Sequence, residues 1–177
     1  VAKVKDLDER QVLTDPAWYC RPPGVPRVGP PQKIVQTAKE LVFLYDDLNG
    51  NFFRVVRMNA EHRTDIDPSA HGDSVGRWEG DTLVIDTISI DERTLISGNG
   101  WFHSDQVHVI ERLRRPSLNY LEYQYSVEDP KVLTKPWTSA WKTFSLGNED
   151  LTENFCTNNE NAEQLRKLIE IEAGKGK

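Results

Sequence analysis

The chain has few of the residues that mark the common enzyme signatures. Of its 177 residues, two are cysteine, four are histidine and one is methionine. There is no CxxC pair and no HExxH, so a structural zinc site or a metalloprotease helix has no footing, and no metal is expected. "GNG" and "GDS" read as turns, because no lysine and helix follow them at phosphate-loop spacing. A GxSxG elbow is missing. Ser74 follows His71 and Asp73, but neighbours in sequence do not make a triad. No apolar run approaches the ~20 residues of a membrane span. A net charge of −6 leaves little for a nucleic acid to bind beyond a local patch at Arg112, Arg114 and Arg115. There is no internal repeat and no strand–helix–strand alternation, which argues against a parallel α/β fold.

What is present points to β-structure. Hydrophobic residues make up 37% and charged residues 28%, a globular composition that fits one domain over 1–177. Asp15 to Gln32 holds six prolines. Proline lacks the ladder donor and fixes φ, so 15–32 reads as an extended stretch lying over the domain, and with a frayed helix over 1–13 it makes up an N-terminal arm, 1–32. From 33 to 147 the chain alternates short β-branched and aromatic runs with turn signals. "KIVQTA", "ELVFLYD", "NFFRVVRM", "VGRWEG", "DTLVIDTISI", "QVHVIERLRR", "LNYLEYQYSVED" and "SAWKTFSLG" make about eight strands. Gly80-Asp81 and Pro116-Ser117 mark tight joins, while 59–74, 91–102 and 130–138 read as long loops. The segment 148–177 carries helical spacing at Ala162, Leu165, Leu168 and Ile169. The fold class that fits best is all-β: an antiparallel up-and-down, lipocalin-like barrel with a Pro-rich N-terminal arm and a C-terminal helix. A β-sandwich is the alternative.

Strand period assigns faces. Val107, Val109, Glu111 and Leu113 share one side of their strand, with His108, Ile110 and Arg112 on the other. Leu121, Tyr123, Tyr125 and Val127 share a face. Asp86 goes with Val84 and Ile88, against Leu83, Ile85 and Thr87, so its side is ambiguous. A carboxylate on an apolar face is an outlier, since burial raises its pKa toward proton-transfer chemistry. Glu111, Asp86 and His103 are therefore the candidate catalytic groups, with His103 at a barrel mouth as the partner of Glu111. Tyr45, Arg57, His108, Tyr123, Tyr125 and Trp137 are the candidate ligand-binding residues. The competing reading pairs Glu111 with Arg54 or Arg57 as a structural ion pair. Most tryptophans read as core or barrel-end plugs.

The chain starts at Val1, the expectation for a processed or trimmed chain, so a missing signal peptide carries no information. Cys20 and Cys156 are either bridged or two free thiols. The strings "GDSVGRWEGDTLVIDT", "HSDQVHVIERLRR" and "VEDPKVLTKPWT", with "PPGVPR" and "KIVQT" upstream, resemble a large family of uncharacterised, secreted or periplasmic bacterial proteins. The resemblance runs from about Cys20 to Asn159. It implies one domain, an exported setting and hence a Cys20–Cys156 bridge, and it brings no activity with it. The chain departs from the family pattern at Asn59–Arg63 and Ile88–Glu92.

The functional expectation is a small-molecule-binding barrel. It is either a cofactor-independent acid–base enzyme (isomerase, lyase, cyclase or hydrolase) acting on a partly apolar substrate, or a non-catalytic carrier or sensor. No cofactor, nucleic-acid partner or membrane span is expected, and a homodimer is left open.

Overall fold

In a computed structural model, residues 2–10, 14–47 and 49–156 are described. The expected C-terminal helix lies outside them. A short helix α1 (Ala2–Glu9) and a 3-10 turn (Pro16–Tyr19) precede eleven strands. These are β1 (Lys33–Gln36), β2 (Glu40–Asp47), β3 (Gly50–Met58), β4 (Asp73–Glu79), β5 (Thr82–Ile88), β6 (Leu95–Ser97), β7 (Trp101–Phe102), β8 (His108–Ser117), β9 (Tyr120–Glu128), β10 (Trp137–Thr138) and β11 (Lys142–Ser145). Nine of them form one sheet in the order β1-β2-β3-β4-β5-β8-β9-β10, with β11 also on β9. The all-β expectation holds at this level. Two of the segments read as long loops contain strands: β6 and β7 form a small hairpin of their own, and β10 lies in the third connection.

The topology departs from a plain up-and-down meander. β3 and β4 pair in parallel, because the chain between them returns to the starting end through the polar stretch 59–72. The strand path is also open. Among the described residues β1 and the β10/β11 pair are its ends, and no ladder joins them.

The sheet nevertheless curls. In a flat sheet β1 and β9 would lie roughly 29 Å apart, six strand spacings. Lys33 and Ile34 of β1 and Tyr120, Leu121, Tyr123 and Tyr125 of β9 instead line one cleft. The concave face buries Leu41, Phe43, Tyr45, Val56, Leu83, Ile85, Leu113 and Tyr123 as one cluster. A second cluster, of Val25, Ile90, Ile96, Val107, Val109 and Val127, adjoins it. Val25 belongs to the proline-rich arm and is fully buried, with its N–H donating to the Ala70 carbonyl. The arm is thus packed into the core, where its sequence suggested a surface strap. Trp78, Trp101 and Trp137 are about half exposed, which corrects their reading as core plugs, and Trp18 is half exposed too. Cys20 and Cys156 form a disulfide that ties the arm to the segment after β11.

Candidate functional site

The concave face carries one polar group in its apolar floor. Arg54 of β3 is buried among Leu41, Phe43 and Val56 and must be satisfied there. Its Nε donates to Ser74 Oγ at 2.8 Å, and its Nη2 donates to Thr87 Oγ1 at 2.7 Å and to Glu111 Oε2. The other Glu111 oxygen accepts from the Tyr123 hydroxyl at 2.8 Å. Glu111 thus sits on the apolar face, as its alternation predicts, and the structural ion pair with Arg54 is present. Both carboxylate oxygens have a partner. Burial alone would lower the Arg54 pKa, but Glu111 beside it pushes it up. Burial and the neighbouring Glu111 carboxylate push the Tyr123 hydroxyl well above its ordinary value.

Tyr45 and His71 complete this group. The Tyr45 ring stands 5.7 Å from that of His71, and burial raises its hydroxyl to about 12. Burial, with the Arg54 charge, holds His71 down at about 4, so the ring is neutral at pH 7. Its Nδ1 faces the Phe53 carbonyl at 3.2 Å, which places the proton on Nδ1 and leaves Nε2 as an acceptor. Tyr45 OH, Arg54 Nη1 and His71 Nε2 are buried with no hydrogen-bond partner among the described residues.

A cleft of about 1120 Å³ opens where the curled sheet fails to close. One wall is β1 with the end of the arm, and the other is β9, β11 and the chain after it. Val28, Ile96, Leu121, Tyr123, Tyr125 and Phe144 give it an apolar lining. Tyr123 and Tyr125 pack as a tilted pair with ring centroids 5.8 Å apart, and Trp137 meets Tyr125 edge-on at 5.5 Å. Tyr123 links the two regions, because its ring lines the cleft while its hydroxyl is held by Glu111.

The remaining expected site residues lie elsewhere. Asp86 is on the convex face, since Leu83, Ile85 and Thr87 take the concave one. There Asp86 Oδ1 contacts His62 Nε2 at 3.0 Å and His108 Nε2 at 2.7 Å. His62 Nδ1 reaches Asp73 at 2.9 Å, and Arg57 and Arg63 close on the same carboxylate. This chain of hydrogen bonds pins the 59–72 loop to the back of the sheet. Burial opposes ionisation of Asp73, but His62, Arg63 and Arg57 together hold it at about 2. Contact with Asp86 raises His108. Arg57, Asp86 and His108 therefore share a clamp on the face opposite Glu111. His103 is buried at the end of β7, where Thr94 Oγ1 takes Nε2 and the Ser104 carbonyl takes Nδ1, both at 2.9 Å. The expected pairing of His103 with Glu111 is not formed, because all four of their polar atoms have other partners.

Sequence reasoning missed His71, which enters the core from a polar loop, and Lys142, which sits on a short edge strand. Among the described residues no group of three or more His, Cys, Asp or Glu side chains is arranged to hold a metal ion. No helix among them is long and apolar enough to cross a membrane. No family model, no curated protein and no solved structure matches the chain.

Proposed function

We propose that the protein is a small-molecule-binding, barrel-like β-protein whose ligand lies in the cleft between β1 and β11. The observation that carries this reading is the cleft itself, with the Tyr123–Tyr125 pair in its wall. Its volume slightly exceeds the ~300–1,000 Å³ usual for small-molecule sites. A partly apolar ligand suits the lining, and completing the barrel wall around it is the barrel-like part of the proposal. Of the two functional expectations, carriage or sensing is favoured over proton transfer. Both Glu111 oxygens and both His103 nitrogens have hydrogen-bond partners, and Asp86 lies on the convex face away from the cleft, whereas a general base needs a free oxygen or nitrogen facing its substrate. If the chain catalyses a reaction, Tyr123 and Glu111 are the pair nearest the ligand. The disulfide suits an oxidising compartment, so secretion or periplasmic placement is part of the same proposal. So is membership of the motif-defined bacterial family, and a homodimer is to be settled by sedimentation velocity.

The test uses a neutral apolar fluorophore, N-phenyl-1-naphthylamine. Its fluorescence is expected to rise on binding the protein. Tyr125→Ala and Leu121→Asp are each expected to weaken binding by about tenfold or more, ~1.4 kcal/mol. Absence of binding, or binding untouched by both substitutions, rules the cleft out. Native mass spectrometry of the protein as purified is expected to reveal any ligand carried from the cell.

A further inference from the structure

The wall of the cleft carries a charge that the apolar lining does not explain. β11 pairs with β9 so that Lys142 stands opposite Tyr123 and Phe144 opposite Leu121. Residues directly opposite in an antiparallel pair point to the same face with Cβ atoms ~5 Å apart. Tyr123 is on the concave face, so Lys142 is there too. Arg54, the concave-face cation of β3, is neutralised by Glu111. Lys142 has no ion pair and no hydrogen bond among the described residues.

The other cations at the cleft each have a partner among the described residues, although that of Arg115 is an uncharged carbonyl. Arg27 pairs with Asp15 at 2.6 Å and Lys33 with Asp150 at 3.7 Å. The Arg115 guanidinium donates to the Leu118 carbonyl. Three acids also line the cleft: Asp46, Glu149 and Asp150, the last being the partner of Lys33. Asp46 belongs to the convex-facing row Val42, Leu44 and Asp46 of β2, and its carboxylate accepts from Thr152 Oγ1 at 3.2 Å. Asp46 therefore does not share the Tyr123 face. Glu149 lies past the end of β11.

We infer that the ligand of the cleft is an amphipathic anion: a flat apolar body against Tyr125 and Phe144, with a carboxylate directed at the Lys142 ammonium. This rests on the cleft being the binding site. Tyr125 and Phe144 line the cleft and are only partly covered, so their rings can meet a flat group. An ammonium covered by the ligand gives a charge-assisted hydrogen bond, stronger than a neutral one.

Titration calorimetry with naphthalene-2-carboxylate and its uncharged analogue naphthalene-2-carboxamide separates the two layers of the argument. The wild-type chain is expected to bind the carboxylate about tenfold or more tighter than the carboxamide. Lys142→Met is expected to erase that preference and leave carboxamide affinity within about twofold, while Lys142→Arg keeps most of it. Lys142 is exposed, so neither substitution threatens the fold. Equal affinities for the two probes overturn the anion inference and leave the cleft standing. A preference that survives Lys142→Met but disappears in Arg115→Met overturns the role of Lys142. Failure of both probes to bind overturns the cleft reading together with the inference.

Discussion

Glu111 and Arg54 set the energetics of the concave face. Each is about 1% exposed at the side chain, and each is the other's only counter-ion among the described residues. Removing one charge strands its partner in a region of low dielectric, a cost of about 3–5 kcal/mol. Glu111→Gln is therefore expected to lower unfolding free energy by that amount in urea titrations. Removing both charges together is different, because an apolar pair of similar volume costs little. Arg54→Met with Glu111→Leu is expected to recover at least half of the loss. A Glu111→Gln variant as stable as wild type would mean that the pair is solvated and the concave floor is wet. Tyr45 makes a contrasting case. Its buried hydroxyl lies near the Arg54 guanidinium but makes no well-formed hydrogen bond among the described residues, so Tyr45→Phe removes a group that gains little from burial. Its stability is expected to stay within about 0.5 kcal/mol of wild type, or to rise.

At the scale of elements, the turn into β4 is the tightest junction. Gly72 has φ +63, and a Cβ there would lie 2.4 Å from the Ile88 carbonyl oxygen. Left-handed backbone and a clash with main chain add, so Gly72→Ala is expected to cost about 3 kcal/mol or more. A thermal melt checks it, and a shift no larger than that of a surface substitution would show that the loop can move. The same junction explains what the sequence could and could not convey. The β4–β5 and β8–β9 hairpins are legible, because clear two-residue alternation flanks each turn. Glu111 is legible for the same reason, as its strand has one apolar side. Asp86 is not, because β5 is apolar on both sides: Val84 and Ile85, on opposite faces, are both buried. The parallel β3–β4 pairing leaves no local trace, since it depends on where a polar loop lands. His71 and the short β6, β7 and β10 strands are fixed by such tertiary contacts, and periodicity needs longer runs than they offer. Lys142 is readable only once the β9–β11 register is known.

At the scale of the molecule, the disulfide and the ionisable clusters determine how the fold responds to conditions. Cys20 and Cys156 are 136 residues apart, and the chain-entropy model gives such a loop about 5 kcal/mol. Cys20→Ser with Cys156→Ser is expected to lose most of that in urea, and thiol titration of the unreduced, unfolded protein is expected to find no free thiol. The response to pH has two limbs that come from opposite faces of the sheet. His71 is held at about 4 by burial and Arg54, whereas it titrates near ~6.5 in the unfolded chain. Between those values the unfolded chain binds a proton that the folded chain refuses, so stability falls as pH drops from ~6.5 toward 4. The limb amounts to at most about 3 kcal/mol. Asp73, held at about 2, adds its loss only lower, as pH falls below ~3.9. His108 works in the other direction. Asp86 raises its pKa, so its contribution is complete below ~6.5 and is lost as pH climbs through the raised value. Unfolding free energy measured in urea from pH 4 to 9 is therefore expected to peak near pH ~6.5. His71→Phe, a ring that fits beside Tyr45 and Phe52, is expected to flatten the acid limb alone, and His108→Gln the alkaline limb alone. An acid limb that persists in His71→Phe would assign it to another carboxylate or histidine and would remove the case for a neutral imidazole in the concave core.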